Sequence, residues 1–510
     1  MLTLSGNTLT IEDVARVAKG GVKVAISTDA LRRISSAQET IQRYLRDNLP
    51  VYGVNTGFGA LCDTSIQPGS LRELQQNLLR SHASGTGRLF PSEVVRGAML
   101  LRANNFCRGQ SGVRAVVVET LVDMINQDVI PAVRSCGSLG ASGDLAPLAD
   151  LALVLTGEGR AWYQGELLDG REAMARAGIA PLRLEAKEGL ALLNGTAFMT
   201  SMAALSCNRA LRYLEAQDAA AALSLMGFDG TAAPYTEELI GARPHLGAQL
   251  VGNHMRFLVE GSPMAEKGRK VRVQDPYSFR CVPQVHGAAL TALLHAIDVI
   301  TVEINSATDN PLVVDGQVIS GGNFHGQPVG TAMDYLTLSL TSVASMSERR
   351  VNQLLDSRQS GLSAFLIPDP GLNSGLMIAQ YTAASLVNEC RVLATPASIQ
   401  SIPVSAEQED HISMATFAST KALQVMEKAT AVTAVELLTA AQAVDLRWGG
   451  KRAAEAMGKA LGCVYSAVRR RVPFISRDEP LSGYIDELVL AIDRGEMQDA
   501  LREAGSSLRL

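Results

Sequence analysis

The sequence is defined first by what is scarce. Aromatic residues make up only 5% of the 510 positions and charged residues 19%. The seven cysteines (62, 107, 136, 207, 281, 390 and 463) are odd in number, scattered, and form no CxxC pair. That pattern argues against a disulfide framework and a zinc site, and it suits a reducing cytoplasm. No apolar run reaches the roughly 18 residues that span a bilayer. The opening MLTLSGNTLTIEDVARVAKG lacks the basic-then-apolar order of a signal peptide. A formal net charge of −5 gives no general electrostatic reason to bind nucleic acid or an anionic membrane. There is no internal repeat and no low-complexity tail. What remains is a 47% hydrophobic, globular chain, long enough for two or three packed regions.

Helical spacing dominates. Segments 11–19, 28–47, 70–82, 91–105, 112–127 and 145–157 read as helices in the first part, with Thr28 and Asp29 as candidate caps. Residues 161–170 read as a small hairpin around Gly165. Further on come long apolar-periodic segments near 196–226, 284–308, 328–357, 375–391 and 411–446. Segment 411–446 is apolar on more than one side and poor in charge, as expected of the central member of a helix bundle shared between subunits. The fold expected is therefore mainly α, with the long helices packed as a bundle.

Polar or glycine-rich loops interrupt this frame: YGVNTGFG (52–59), RSHASGTG (80–87), GSLGASGDLAP (137–147), NGT (194–196), QDPYSFRC (274–281), GGNFHGQ (321–327) and SAEQEDH (405–411). Loops of this kind on a rigid frame are where binding and catalysis concentrate. Each also has a plainer reading when taken alone. His82 reads as a helix-end histidine, Asn194 as a cap, Arg280 as an ion-pair partner, and Glu409-Asp410 as a helix start capped by Ser405. The glycines of 137–143 read as an anion nest. Ser142 does not satisfy G-x-S-x-G, so a serine-nucleophile reading is weak.

Taken together and in order, VYGVNTGFG, SHASGTG, GSLGASGDLAPLAD, ALLNGT, QDPYSFRC, TDNPLV, SGGNFHGQ, GLNSGLMIAQ and SIPVSAEQEDHISM closely resemble the aromatic amino acid ammonia-lyases over nearly the whole chain. The resemblance implies a mainly α subunit of the fumarase/aspartase-like type, with residues 1–200 as an N-terminal region bearing a methylidene-imidazolone (MIO) and residues 201–510 as a long-helix bundle plus a C-terminal helical region. It implies that Ala141-Ser142-Gly143 cyclises unaided, the Gly143 nitrogen attacking the Ala141 carbonyl with loss of two waters. The residue types suit that chemistry. Glycine leaves the attacking nitrogen uncrowded, alanine is small, and serine carries a β-hydroxyl to eliminate. The surrounding frame must hold the strain.

By the same resemblance, Tyr52 is the base that removes the β-proton. Its ordinary pKa near 10 would have to fall for it to act at neutral pH. Arg280 pairs with the substrate carboxylate as a guanidinium fork, while Gln274 and Tyr277 line the amine and carboxylate region. Asn194 donates to the ring carbonyl, Phe324 packs near the ring, and Asp144 positions the loop for closure. His82 and Glu409 face the substrate side chain.

Glu409 favours histidine. A carboxylate facing an imidazole N–H makes a charge-assisted hydrogen bond, whereas facing a phenyl ring it is a buried, unpaired charge. The implied reaction is elimination of ammonia from L-histidine to give trans-urocanate. Three departures from the histidine branch keep tyrosine, phenylalanine or a 2,3-aminomutase open: Glu407 where asparagine is usual, FHGQ at 324–327, and Arg280-Cys281-Val282. A non-catalytic helical paralogue is the competing class. The resemblance further implies a cytoplasmic homotetramer with shared active sites, so that Tyr52, the Ser142 loop and Phe324 meet across an interface. It implies a small-molecule amino acid substrate, no nucleic-acid or membrane contact, no metal and no dissociable cofactor.

Overall fold

Helices form where apolar residues recur at helical spacing, and their ends follow local chemistry. The computed structural model describes residues 1–269, 271–449, 453 and 456–505. Ile11–Ala18 starts at Thr10, whose hydroxyl accepts from the Asp13 N–H while Asp13 reaches back to the Thr10 N–H, a capping box. Thr28–Arg46 is capped one residue earlier than expected, by Ser27, which accepts from the Ala30 N–H. Leu71–His82, Ser92–Cys107, Ala115–Gln127 and Ala146–Leu155 match the expected helices to within three residues. The hairpin pairs Arg160–Tyr163 with Glu166–Asp169, with Gly165 at φ +83° in its turn.

The long segments become Ala197–Phe228, Val282–Glu303, Gln327–Leu355, Met377–Leu393 and Ala415–Trp448. Two of them differ from the sequence reading at one end. Val282–Glu303 stops short of residue 308 because the chain turns through Asn305 and Ser306 toward Asn310-Pro311. Ala415–Trp448 begins four residues later than expected because Met414 is left-handed, at φ +51°.

The chain divides into two compact units. The first comprises residues 1–208, 296–334 and 396–423, so the expected boundary at 200 falls inside the first turns of Ala197–Phe228. Among the described residues all the strands lie in this unit. Leu2–Leu4 runs parallel to Val24–Ile26, Thr86–Leu89 antiparallel to Arg134–Cys136, and Ile130–Pro131 joins the hairpin. Leu312–Val314 pairs with Gln317–Ile319.

The second unit comprises residues 209–295, 335–395 and 424–510. Its core is not wholly apolar. Arg350 and Glu436, both with fully buried side chains, pair at 2.5 Å. Gln217 accepts from Arg350, and Ser224 and Ser347 donate to Glu436. Buried ions survive only when paired and hydrogen-bonded in this way.

Val282–Glu303 and Ala415–Trp448 are long and apolar enough to cross a membrane by length and composition. The apolar stretch of Ala415–Trp448 is 83% buried within the protein, as the core helix of a bundle should be.

Replacing Glu436 with leucine leaves the Arg350 guanidinium buried without its partner. Denaturant unfolding should show a loss of about 3–5 kcal/mol, with much of it recovered in the double variant Arg350→Met/Glu436→Leu.

Candidate active site

The site is built in the first unit around the Ser142 turn. Ser142 stands at φ +44°, Gly143 at +83° and Leu145 at +49°. Three left-handed residues within four, two of them not glycine, make a tight and strained bend. The bend is clamped on one side by residue 195. Gly143 and Gly195 form an isolated parallel bridge. The Asp144 N–H donates to the Gly195 carbonyl at 2.8 Å, and the Gly195 N–H donates to the Ser142 carbonyl at 3.2 Å. A Cβ on residue 143 would lie 2.1 Å from the Gly195 oxygen, so only glycine fits there.

Asp144 anchors the bend from within. Its fully buried carboxylate accepts from the Phe198 and Met199 N–H groups, the first turn of Ala197–Phe228, and from the Thr416 hydroxyl. Burial pushes its pKa up to about 7, against those three hydrogen bonds and the nearby Arg102 charge. The preceding residues are gripped by the segment before Ala415. The Met414 N–H donates to the Leu139 carbonyl, the Ser413 hydroxyl donates to the Gly140 carbonyl, and Ser138 and Thr416 share a hydroxyl contact at 2.8 Å.

Ser142 opens onto a cavity of about 520 Å³, lined also by Tyr52, Phe58, Leu78, His82, Leu190 and Glu409. A volume of this order suits a small ligand largely enclosed by apolar walls. Tyr52 is carried by the loop that the sequence marked. Asn55 accepts from the Val51 N–H, Thr56 accepts from the Gly53 N–H, and the buried Gln75 donates to the Gly53 carbonyl. The Tyr52 hydroxyl accepts from the Gly59 N–H at 3.0 Å. Burial nevertheless raises its pKa, and the Glu409 charge adds to the rise; the Gly59 hydrogen bond only partly offsets them. The downward shift expected of a tyrosine base is absent from the isolated chain.

His82 ends the Leu71–His82 helix. Its Nδ1 lies 2.9 Å from the Leu78 carbonyl, which can only accept, so the proton sits on Nδ1 and Nε2 keeps a lone pair. Burial lowers its pKa, so the ring is neutral at pH 7. Glu409 is delivered by an unusual turn rather than by the helix start that its sequence suggested. Ser405, Ala406 and Glu407 are all left-handed, at φ +56°, +52° and +66°, and a Val404–Glu409 bridge closes the turn. Burial raises the Glu409 pKa, and a hydrogen bond with Ser142 opposes that.

Tyr52, His82, Ser142 and Glu409 therefore meet within one chain, and Tyr52 needs no subunit interface to reach the Ser142 loop. The Asn194 side chain donates to the Asn310 carbonyl at 3.3 Å, and the donor on the Ser142 carbonyl is the Gly195 backbone. Phe324 is half-buried and does not line this cavity. Gln274, Tyr277 and Arg280 belong to the second unit. There Arg280 stacks over the Tyr277 ring at 4.4 Å, and Tyr277 and Gln274 are exposed. Among the described residues Arg280 forms no ion pair, contrary to its plainer reading. Sequence reasoning missed Gly195 and Arg102. The signal was available as an arginine and two asparagines inside the apolar run AMLLRANNFC. Among the described residues no group of three or more histidine, cysteine or acidic side chains is arranged to hold a metal ion.

A family model described as aromatic amino acid lyase matches residues 9–470. A histidine ammonia-lyase of Caldanaerobacter subterraneus subsp. tengcongensis is 46% identical over 509 residues, 99% of each chain. Among solved structures, the tyrosine aminomutase from Streptomyces globisporus superposes with a TM-score of 0.93 at 36% identity, covering 100% of this chain and 99% of its own. The histidine ammonia-lyase from Trypanosoma cruzi gives 0.91 at 35%, covering 99% and 96%.

Asp144→Ala removes three hydrogen bonds to a buried carboxylate and frees the bend from the helix start. Unfolding measurements should show a loss of about 2–4 kcal/mol.

Proposed function

This chain belongs to the aromatic amino acid lyase family, and from that premise we propose that it eliminates ammonia from L-histidine to give trans-urocanate. It is a carbon–nitrogen lyase. The observation that carries the choice of substrate is the meeting of His82 and Glu409 in the cavity beside Ser142 and Tyr52.

The chain fits the MIO group. Ala141 and Gly143 are buried and Ser142 is half-buried; the bend is left-handed at Ser142 and Gly143 and leaves no room for a side chain on the residue whose nitrogen must attack. Ser142, whose hydroxyl must leave, faces the cavity. Once formed, the ring supplies an electrophilic alkene that none of the twenty side chains offers. Closure also removes the hydroxyl that hydrogen-bonds Glu409, which frees that carboxyl for the substrate.

The remaining work falls to ordinary side chains. Glu409 and the Nε2 lone pair of His82 are both acceptors, which suits an imidazole N–H and offers nothing to a phenyl ring. A site built around such hydrogen bonds rejects a ligand that cannot make them, because its own polar groups are then left unpaired. Tyr52 removes the β-proton. In the chain alone its phenol is held neutral, so the base role requires positive charge from outside this unit. Arg280 of a neighbouring subunit is the candidate, with Gln274 and Tyr277 beside it holding the substrate carboxylate and amine, and Phe324 of another subunit closing the cavity.

That assignment makes the enzyme a homotetramer with shared sites. Large apolar side chains left exposed on the helices support it, among them Val302 and Phe417 in the first unit and Tyr335, Ile378, Tyr381 and Val392 in the second. Cytoplasmic residence, with no membrane or nucleic-acid partner, is consistent with the thiol pattern and the modest negative charge.

The test offers purified protein L-histidine, L-tyrosine and L-phenylalanine, with product read by ultraviolet absorbance. Urocanate should form fastest; coumarate or cinnamate as the dominant product, or a β-amino acid, would overturn the reading. Tyr52→Phe should leave intact mass two waters below the sequence value while turnover falls about 10²- to 10⁴-fold. Glu409→Gln should lower kcat/KM for histidine by about 10- to 100-fold. For wild type, kcat/KM should fall on acidification at a pH above that of an ordinary glutamate, as Glu409 protonates.

A further inference from the structure

Arg102 lies within the Ser92–Cys107 helix and is fully buried, a costly place for a guanidinium without partners. It is fixed from three directions. Nη1 donates to the Asn194 carbonyl at 2.5 Å, Nη2 donates to Asn105 Oδ1 at 2.9 Å, and the guanidinium sits 4.5 Å from the Phe106 ring centroid. Asn105 is itself oriented by donating to the Ser306 carbonyl and the Thr308 hydroxyl. A Cβ on residue 195 would come 2.2 Å from Arg102 Nη1, so the approach requires glycine there.

The Asn194 carbonyl and the Gly195 N–H are the two ends of one planar, conjugated peptide group. Arg102 holds the carbonyl end. The N–H end donates to the Ser142 carbonyl at 3.2 Å. When Gly143 nitrogen bonds to the Ala141 carbon and two waters leave, one from that carbonyl and one from the Ser142 side chain, the Ser142 carbonyl becomes the ring carbonyl, conjugated with the methylidene. A cation, one peptide group and the future ring carbonyl thus lie on a single hydrogen-bonded line.

We infer that Arg102 is a positioning residue that polarises the Asn194–Gly195 peptide onto the Ser142 carbonyl and thereby raises the electron demand of the ring formed from residues 141–143. The inference rests on the proposed ring. A cation on the carbonyl end of an amide makes its N–H a stronger donor, and in a buried setting such chains strengthen one another. A stronger donor on the ring carbonyl draws density from the conjugated alkene, as an oxyanion-hole donor does. Arg102 carries the charge at neutral pH. Burial pushes its pKa down only to about 10, with Asp309 and Asp144 opposing the fall.

The test uses purified wild type, Arg102→Gln and Arg102→Lys. Intact mass gives the fraction of chains two waters lighter. The near-ultraviolet band of the ring is read as a difference from Ser142→Ala. Cyanide, which adds as H–CN across the alkene, gives a rate of mass gain per cyclised chain. The glutamine variant should add cyanide about tenfold more slowly, with its band moved to shorter wavelength, while the lysine variant stays within about threefold of wild type. Cyclised Arg102→Gln that reacts at the wild-type rate with an unmoved band would reduce Arg102 to a packing role and overturn the inference. Should the glutamine variant not fold, the lysine variant decides. It keeps the charge, so a tenfold loss in fully cyclised Arg102→Lys also overturns the relay. Wild type at its full sequence mass would instead defeat the proposed ring itself.

Discussion

One bend governs the site. Ser142, Gly143 and Leu145 adopt backbone angles that L-residues with a Cβ avoid, and the cost is offset by the contacts that enclose them. Gly195 clamps the bend by two backbone hydrogen bonds, and Asp144 ties it to the start of a 32-residue helix. The residues before Ala415 grip it from the other side. Segments far apart in sequence therefore converge on one turn: residues 195–199 and 413–416 both bond to it, and the unit that holds it joins residues 396–423 to the first 208. Remove the clamp and nothing local to GSLGASGDLAP would keep this conformation, because glycine flanks make the stretch permissive rather than bent.

The frame around the bend is unusually charged for a buried region. Besides Arg102 and Asp144, Lys187 pairs with Asp309 at 2.8 Å with both side chains fully buried. Burial disfavours each of these ions singly, lowering the pKa of Lys187 and raising that of Asp144. Their mutual arrangement keeps them compensated. An apolar core of the same volume would be at least as stable, so stability alone does not explain the arrangement. Fixed charges in a low-dielectric setting orient peptide dipoles strongly, and the peptide in question is the one that touches the Ser142 carbonyl. Tyr52 shows the opposite case. Burial without a nearby cation keeps its phenol protonated, so this unit by itself provides a proton acceptor in position and not yet in its active form.

How much of this was legible in sequence divides along physical lines. Long helices were, because a pattern such as Leu336, Leu340, Val343 and Leu354 repeats over many turns and no other structure buries it. The clustering of Tyr52, His82, Ser142 and Glu409 was legible only through resemblance, since the four lie in separate loops and helix ends, with Glu409 far along the chain from the other three. Short strands escaped, apart from the hairpin. Leu2–Leu4 and Thr86–Leu89 are three and four residues long and depend on distant partners rather than on their own alternation. The Ser405–Glu407 turn could not be read at all, because serine, alanine and glutamate in succession give no signal for left-handed backbone. A motif names the residue at a position, not which of its groups faces inward: here the Gly195 backbone donates to the Ser142 carbonyl, while the Asn194 side chain donates to the Asn310 carbonyl.

The distribution of residues between the two units bears on how specificity is built. The groups that would read the substrate side chain, His82 and Glu409, sit in the first unit with the tyrosine and the tripeptide. Those that would read the carboxylate and amine, Gln274, Tyr277 and Arg280, sit in the second. Under the proposed assembly the two ends of one amino acid are recognised by different chains. Side-chain preference can then change through the 405–411 turn or the end of the Leu71–His82 helix without disturbing carboxylate recognition. The separation has a second consequence. If the cation that ionises Tyr52 arrives only with the neighbouring subunit, base strength is conferred by assembly, and an unassembled chain holds a formed cavity with an inert phenol.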